Sequence, residues 1–269
     1  MSAPPPTQIT VRWLNPLGYG TYDGGIAAIL SKIKQPTTKV EVVSFEMNHS
    51  PTHLEYRAYQ ALMSALTAEC ARDADKSGID AMIIGCFYDP DLEVAREISG
   101  STVVVAPCHS SLTAASRLAN KFSILVGRDK WIQQMEERIN VYGMKERIAS
   151  FRSLGLGVDD FQKYPEFTRK KIIEEAQKAV KEDGAEAIIL GCTIEFGFFE
   201  EVQTMVGVPV IDAVVAPFLE AEQAARMKRQ FGWKPSRVGS CEAPPEEELT
   251  KFGIFQKAPP MRRTPVEDL

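Results

Sequence analysis

The sequence lacks most of the features that mark secreted, metal-binding or membrane proteins. Its five cysteines form no CxxC pair and its three histidines form no cluster, which argues against a disulfide framework and against a zinc site. No apolar run approaches the roughly 18 residues of a membrane span, and the opening MSAPPPTQ has none of the regions of a signal peptide. We therefore expect a cytoplasmic protein with reduced thiols.

Positive charge is also scarce. Lysine and arginine number 31 against 36 acidic residues, the net charge is -5, and the basic residues are scattered, so no face for nucleic acid or anionic lipid is indicated. The Gly-x-Gly-x-x-Gly, P-loop, His-Glu-x-x-His and Gly-x-Ser-x-Gly patterns are missing, so nucleotide binding, zinc hydrolysis and serine hydrolase chemistry have no motif. We expect a small-molecule substrate, no nucleic-acid or membrane partner, and no metal or other cofactor.

The 269 residues, 44% of them hydrophobic, can form one large domain or two half-sized ones. Hydrophobic periodicity alternates between short buried strands and amphipathic helices. Strands are predicted at 9–14, 40–45, 81–84, 102–105, 122–126, 187–190 and 208–211. Helices are predicted at 25–33, 55–76, 93–98, 130–142, 167–183 and 216–231. This order predicts an α/β fold with parallel sheets.

An internal repeat is the most informative feature of the chain. Residues 77–86 read SGIDAMIIGC and residues 183–192 read DGAEAIILGC, and five of the ten positions are identical. The offset of 106 residues also relates the apolar run at Val104 to the run at Val210. This period is too long for a solenoid, whose repeats span about 20 to 50 residues. The chain is therefore predicted to fold as two similar halves.

Two similar halves predict two pseudo-symmetric, Rossmann-like parallel-sheet lobes with the active site in the cleft between them. We assign residues 1–115 plus 216–233 to the first α/β lobe, 116–215 to the second, and 234–269 to a C-terminal extension. Ligands of open α/β sheets bind beyond the carboxyl ends of the strands, and both Gly-Cys pairs lie there. Two facing copies place Cys86 and Cys192 on opposite sides of one cleft.

Cys86 and Cys192 suit stereoinversion at a carbon next to a carbonyl, since one group removes a proton from one face while the other supplies a proton to the opposite face. A thiol has a reference pKa near 8.5, and helix N-termini or nearby donors lower it, so thiolate and thiol can coexist near neutral pH. A single Gly-Cys could simply end a buried strand, but its repetition at matched positions favours catalysis. We interpret the other three cysteines, Cys70, Cys108 and Cys241, as buried small hydrophobes.

Four segments resemble the aspartate/glutamate/hydantoin racemase superfamily, and hydantoin racemases in particular. They read AMIIGCFYDPDLEVARE, FSILVG, YGMKERIASFRSL and AIILGCT, and the resemblance covers most of residues 9–227. It implies two pseudo-symmetric α/β domains with an active site between them, no cofactor, and Cys86 and Cys192 as the catalytic acid and base.

The same resemblance suggests Asn15 as a substrate-binding residue, and Thr193 is a second candidate. Asn15 of the Asn15-Pro16 pair would help to orient the polar groups of the substrate, with a turn residue as the alternative. Relatives continue with Asn and Thr or Ser, whereas this chain continues with LGYG. Thr193 is a candidate hydrogen-bond donor to a substrate carboxylate or carbonyl, and capping of a helix is the alternative.

Three further candidates flank the cleft in the sequence. Phe87, followed by Asp-Pro two residues on, suits hydantoin racemases, whereas Tyr88 stands where a small or hydroxyl residue is expected. The large phenol either narrows the pocket or points to solvent. His109 follows a strand and could add a polar group to the cleft, with a structural histidine as the alternative. Glu195 is interpreted as a solvated carboxylate near a helix start.

The proline-rich tail from Lys234 onward departs from the repeat, and we expect it to be irregular. It could wrap the body of the protein or a partner subunit, and we expect a homo-oligomer. The last stretch, 261–269, is expected to be mobile.

The sequence therefore predicts a cofactor-independent racemase or epimerase that catalyses 1,1-proton transfer at a carbonyl-activated stereocentre through two cysteines. Its expected substrates are 5-substituted hydantoins first and amino acids second, because the hydantoin C5-H is the more acidic. A cis-trans isomerase or decarboxylase of the same superfamily is one alternative. A non-catalytic protein that binds a small anion is the other.

Overall fold

The structure is a computed structural model that describes residues 8–268. Residues 1–7 and Leu269 lie outside this range. The prediction that the opening residues form no signal peptide therefore falls almost entirely outside the described residues. The strands are β1 (Ile9–Asn15), β2 (Thr38–Phe45), β3 (Ala81–Ile84), β4 (Val103–Val105), β5 (Phe122–Val126), β6 (Ile148–Ser153), β7 (Ala187–Leu190), β8 (Val210–Ile211) and β9 (Met261–Pro265). The helices are α1 (Asp23–Ile33), α2 (Arg57–Lys76), α3 (Leu92–Ile98), α4 (Pro107–Leu118), α5 (Ile132–Val141), α6 (Val158–Phe161), α7 (Pro165–Glu182), α8 (Phe199–Val206), α9 (Val215–Phe231) and α10 (Glu246–Phe252).

The strands form two sheets of matching topology. The first has the order β4-β3-β1-β2-β9 and the second has the order β6-β5-β7-β8. All strand pairs are parallel except β2 with β9. Leu14 pairs with Ile84 in the first sheet and Leu125 pairs with Leu190 in the second. Because 84 and 190 also differ by 106, the sequence repeat corresponds to the central strands of two equivalent sheets.

Strands β3, β5 and β7 are apolar except for Ser123 of β5, because helices cover both of their faces. All side chains of β3, β5 and β7 are buried, as a parallel sheet between two helical layers requires. One buried cluster fills the second lobe, and two clusters lie on the opposite faces of the first sheet. The predicted α/β class with parallel sheets is confirmed.

Two helices cross between the lobes. Helix α9, from the end of the second half, packs on β1, β3 and β4 of the first sheet, whereas α4 packs on β7 and β8 of the second sheet and also contacts α9. Because each helix packs on the sheet of the other half, the two helices hold the lobes together. The lobe boundaries stay a prediction, and this packing leads us to propose that 107–118 belongs with the second lobe.

The C-terminal extension is more ordered than the sequence suggests. Strand β9 adds an antiparallel edge to the first sheet, with Val43 opposite Arg263, so the expectation of a mobile stretch is wrong for Met261–Pro265. Leu249 of α10 is buried against the first lobe. Cys241 is exposed, which corrects its interpretation as a buried hydrophobe, whereas Cys70 and Cys108 are buried. Within residues 8–268, no helix combines the length and apolar character needed to cross a bilayer.

Candidate active site

A glycine lets each central strand turn sharply before its cysteine. The N-H of Gly85 donates to the carbonyl of Leu14 (2.7 Å), and the N-H of Gly191 donates to the carbonyl of Leu125 (2.8 Å). A Cβ atom on Gly85 would lie 2.8 Å from the Leu14 oxygen, and one on Gly191 would lie 2.4 Å from the Leu125 oxygen. Both distances are shorter than normal contact, so the neighbouring backbone requires glycine at each exit.

The loops that carry the two cysteines follow the same path. Asp89 N-H donates to the Cys86 carbonyl (2.9 Å), and Glu195 N-H donates to the Cys192 carbonyl (3.1 Å). The Cys192 sulfur accepts a hydrogen bond from Ile194 N-H at 3.4 Å. The Cys86 sulfur likewise accepts a hydrogen bond from the backbone N-H of Tyr88, two residues further on, and this bond partly lowers the pKa of Cys86. Each sulfur is therefore held at the end of its strand by an equivalent turn.

Cys86 and Cys192 line one small cavity in the cleft, of about 40 Å³. This volume is small for a ring-sized substrate, although both cysteines remain partly exposed. The other lining residues come from five separate segments of both lobes: Leu54, Glu55, Phe87, Tyr88, Trp131, Met135, Val158 and Gly191. Separation of the lobes or movement of a lining side chain would enlarge the cavity for a substrate.

Tyr88 separates this cavity from a larger groove. Its side chain lines the cavity and also a groove of about 380 Å³ bounded by helices α2 and α5. Tyr88 is 6% exposed and Phe87 is 3% exposed. Of the two alternatives for Tyr88, the structure therefore favours the one in which the phenol narrows the pocket. Burial raises the pKa of Tyr88, and the neighbouring thiols raise it further.

Both thiols are protonated at neutral pH in this closed site. Burial raises the pKa of Cys86 to about 12, since it outweighs the N-H of Tyr88, and the nearby carboxylates of Asp89 and Asp91 act in the same direction. Burial raises the pKa of Cys192 well above its usual range, and ionisation of the nearby Glu195 would raise it further. The sequence predicts a lowered pKa for one of the thiols, whereas in this structure the pKa of both is raised.

Glu55 reaches into the cavity from the loop before α2 and joins the two lobes. Its carboxylate accepts hydrogen bonds from Arg128 Nη1 (2.7 Å), Trp131 Nε1 (3.3 Å) and the backbone N-H of Val158 (3.0 Å). Burial alone would raise the pKa of Glu55, but the N-H of Val158 and the Arg128 guanidinium outweigh it and lower that pKa. An ionised carboxylate thus lies beside the two thiols.

Other polar contacts close the cleft around this point. Gln60 and Gln134 exchange hydrogen bonds of 2.6 and 3.3 Å. Asp159 accepts from Tyr22 (2.9 Å) and from Thr52 (3.0 Å). These side chains are largely solvent-exposed or at the cleft rim, where individual hydrogen bonds contribute little and can break without great cost.

Asn15 does not line the cavity. Its side chain accepts from Trp13 Nε1 (2.8 Å) and donates to Asp23 (2.5 Å), whose other oxygen accepts from Ser44 (2.7 Å). All four side chains are buried. Asn15 therefore orders the exit of β1, and its predicted contact with substrate stays a prediction.

Thr193 and His109 lie beside the site without lining the cavity. The Thr193 hydroxyl donates to the carbonyl of Gly85 (3.2 Å), which ties the two cysteine loops together. Thr193 does not cap a helix, since α8 begins only at Phe199. The His109 ring lies on α4, 3.7 Å from Glu220 and edge-on to Tyr142. Their roles in substrate binding also stay predictions.

The carboxylates at the matched positions 89 and 195 have different environments. Asp89 is buried and accepts from the N-H groups of Cys108 and His109 (2.8 and 2.9 Å), so it caps helix α4, and burial raises its pKa to about 6. Glu195 is 1% exposed, and no donor among the described residues forms a well-aligned hydrogen bond to its oxygens, although the N-H groups of Cys192 and Gly191 lie near enough to lower its pKa in part. Burial raises the pKa of Glu195 well above its usual range. The interpretation of Glu195 as a solvated carboxylate is wrong.

The main residue that the sequence did not reveal is Glu55. The sequence predicts it as the first residue of a helix, whereas the helix begins at Arg57 and Glu55 precedes it. Trp131, Met135 and Val158 also carry no motif, because only the tertiary fold brings them to the cysteines. Across residues 8–268, no group of three His, Cys, Asp or Glu side chains is arranged to hold a metal ion.

The fold and the site thus define a two-lobed α/β protein with a paired-cysteine cleft. The family model for Asp/Glu/hydantoin racemases matches residues 22–221. The hydantoin racemase of Pseudomonas sp. (strain NS671) is 31% identical over 250 residues, which cover 91% of this chain and 98% of that protein. The chain belongs to the Asp/Glu/hydantoin racemase family, and it is an isomerase.

Solved structures show the same fold. The allantoin racemase from Klebsiella pneumoniae superposes with a TM-score of 0.81 at 24% identity and covers 89% of this chain and 95% of its own. An arylmalonate decarboxylase superposes less closely, with a TM-score of 0.62 at 16% identity, and covers 85% of this chain and 96% of its own. The fold therefore also occurs in proteins with a different activity.

Proposed function

We propose that this racemase works without a cofactor and inverts a carbonyl-activated stereocentre by 1,1-proton transfer, with Cys86 and Cys192 as acid and base. One observation carries the proposal: two Gly-Cys loops, each at the end of the equivalent strand of its lobe, line the same cavity. A substrate between them has a sulfur on either face, which is the arrangement that stereoinversion requires.

The proposed reaction conserves protons. One cysteine, as thiolate, takes the proton from the stereocentre, and the electron pair of the C-H bond passes into the adjacent carbonyl to form an enolate. The opposite thiol then gives its proton to the other face of the same carbon. The protein is left with the two protonation states exchanged, and proton exchange with water restores them. Each cysteine is the base for one enantiomer and the acid for the other.

A thiolate has to form before this cycle can start. In the closed cavity burial is the largest cause of the raised pKa of both thiols. Opening of the cleft admits water and removes part of that cause, while the N-H groups of Tyr88 and Ile194 remain to stabilise a thiolate. We propose that one cysteine ionises in the open state and that the cleft then closes on the substrate.

The substrate class proposed first is 5-substituted hydantoins, with amino acids second. The similarity to a hydantoin racemase over almost the whole chain supports this choice. Most of the cavity is apolar or aromatic, from Leu54, Phe87, Trp131, Met135 and Val158. Such a lining suits an uncharged ring with an apolar substituent.

A homo-oligomer is also proposed, since Phe231 and Trp233 lie against each other while more than half exposed.

The mechanism is tested by replacing Cys86 or Cys192 singly with serine. Neither variant should racemise a hydantoin, because a hydroxyl of much higher pKa cannot exchange roles with a thiolate. In D2O the remaining cysteine should still exchange the stereocentre hydrogen of one enantiomer, and the two variants should select opposite enantiomers. NMR of separate enantiomers measures this, with Cys241→Ser as the matched control that keeps full activity.

Two results would refute the opposed pair: racemisation by one variant at the wild-type rate, or exchange of the same enantiomer by both variants. Assays with an unsaturated diacid and with an arylmalonate test the cis-trans isomerase and decarboxylase alternatives. Binding without turnover of any of these compounds would favour the non-catalytic alternative.

A further inference from the structure

The carboxylate of Glu55 is the one charged group among the described residues that line the cysteine cavity. It is 4% exposed, and it is ionised despite its burial, because the N-H of Val158 and the guanidinium of Arg128 stabilise the charge. The proton-transfer cycle proposed above makes no use of it. A buried charge that the chemistry leaves idle requires another explanation.

One oxygen of Glu55 has room for a further donor. Oε2 accepts from both Arg128 and Trp131, whereas Oε1 accepts from the Val158 N-H alone and lies 3.8 Å from His53 Nδ1. A carboxylate oxygen can accept two hydrogen bonds. Oε1 can therefore accept one further hydrogen bond, and Glu55 lines the same cavity as Cys86 and Cys192.

The charge also disfavours certain molecules. The remaining lining side chains are uncharged at neutral pH, and Arg128, which lies outside the lining, is already paired with Glu55. In a largely apolar cavity two negative charges repel strongly, because little solvent screens them. A substrate carboxylate would meet this repulsion with no cation in the lining to offset it.

We propose that Glu55 is the specificity-determining residue of this racemase: it accepts a hydrogen bond from a ring N-H of an uncharged substrate and repels carboxylates. The inference rests on the proposed function and names which atoms of the substrate the site recognises. Hydantoins carry two ring N-H groups beside the reacting carbon and its carbonyl, whereas unsaturated diacids and arylmalonates carry carboxylates and no N-H. Amino acids also carry a carboxylate, so this inference ranks the second proposed substrate class well below hydantoins.

The test combines a substrate series with an isosteric variant. The wild-type protein and Glu55→Gln are assayed with 5-benzylhydantoin and with its N1-methyl and N3-methyl derivatives, and the readout is kcat/KM for stereocentre exchange in D2O. In the wild type, one of the two methylations should lower kcat/KM by about 10- to 100-fold, as loss of a hydrogen bond to a charged group does. In Glu55→Gln the same methylation should cost less than about fivefold, because glutamine has the same size but no charge.

Asp159→Asn is the matched control, because Asp159 also joins the lobes but does not line the cavity. It should show the wild-type pattern with all three compounds. An equal methylation penalty in wild type and Glu55→Gln would overturn the inference, since the penalty would then be steric. A uniform loss with every compound would also overturn it, because Glu55 would then only hold the lobes together.

Folding of the variant does not decide the outcome. If Glu55→Gln does not fold, equal wild-type kcat/KM values for the parent and both methylated compounds still refute the hydrogen bond. Failure of the proposed function gives a different result, because the wild type would then exchange none of the three hydantoins.

Discussion

Replacement of Gly191 by alanine is expected to damage the site by distorting the strand exit. The added Cβ would lie 2.4 Å from the Leu125 carbonyl oxygen and 3.0 Å from Ile124 Cγ2. Strand β5 and the Cys192 loop would have to separate by about 0.6 Å to reach 3.0 Å, the lower limit for such a contact. The same movement would stretch the 2.8 Å hydrogen bond from Gly191 to Leu125.

The free energy of unfolding should fall by about 2 to 4 kcal/mol. Overpacking of a well-packed interior costs about 1 to 3 kcal/mol, and a weakened backbone hydrogen bond adds about 1 kcal/mol. The activity should fall as well, since displacement of a reacting group by about 1 Å can lower the rate by about 100-fold. Gly85→Ala should act in the same way, because its Cβ would meet Leu14 and Trp13.

Urea unfolding followed by circular dichroism gives the free energy, and hydantoin racemisation followed by polarimetry gives the activity. Gly24→Ala is the control, since Gly24 is an exposed residue of α1 and an added methyl group there would meet no atom within 4 Å. This change should stabilise the protein by about 0.5 to 1 kcal/mol through helix propensity. A Gly191→Ala protein with wild-type stability and activity would refute the reasoning.

Two further predictions concern the cavity. The raised pKa of both thiols in the free protein makes the thiolate scarce at neutral pH. The value of kcat/KM should therefore increase with pH between 7 and 9, by up to about tenfold per pH unit. A plateau already at pH 7 would contradict this. Tyr88→Ser should join the cavity to the adjoining groove and extend the substrate range to bulkier 5-substituents, at a cost of about 3 kcal/mol in stability because the ring is buried. Tyr88→Phe keeps the volume and should retain the wild-type range, and an unchanged specificity profile in Tyr88→Ser would assign the residue to the core alone.

The sequence predicts strands β3, β5 and β7 to the residue, because a run with every side chain buried is apolar apart from a small residue such as Ser123. This holds for Ala81–Ile84, Phe122–Val126 and Ala187–Leu190. Strand β6, Ile148–Ser153, was missed because its side chains are all half-buried and it contains two serines and an arginine. Strand β9 reads MRRTP and joins the sheet through backbone pairing with β2, so it has no apolar signal.

The two cysteines could be predicted because duplication repeats them at a fixed offset, and the offset survives in the fold. Glu55 has no such signal. Its position in the cavity depends on donors from Arg128, Trp131 and Val158, which lie 73 to 103 residues away along the chain. A tertiary contact of this kind leaves no local pattern in one sequence, so only the structure shows that a charge lies next to the thiols.

The two halves of the site have equivalent backbones but different charged side chains. Thermodynamics limits how this difference can affect the kinetic constants for the two enantiomers. Asp89 caps α4, whereas at the matched position Glu195 has no well-aligned donor among the described residues and Asp212 caps α9 through Val214 N-H at 2.6 Å. The surroundings that raise the pKa of Cys86 and of Cys192 therefore differ. Yet enantiomers with a single stereocentre have equal free energies in water, so kcat/KM must be the same in both directions. The asymmetry between Asp89 and Glu195 can consequently appear only as a difference in kcat matched by an equal difference in KM.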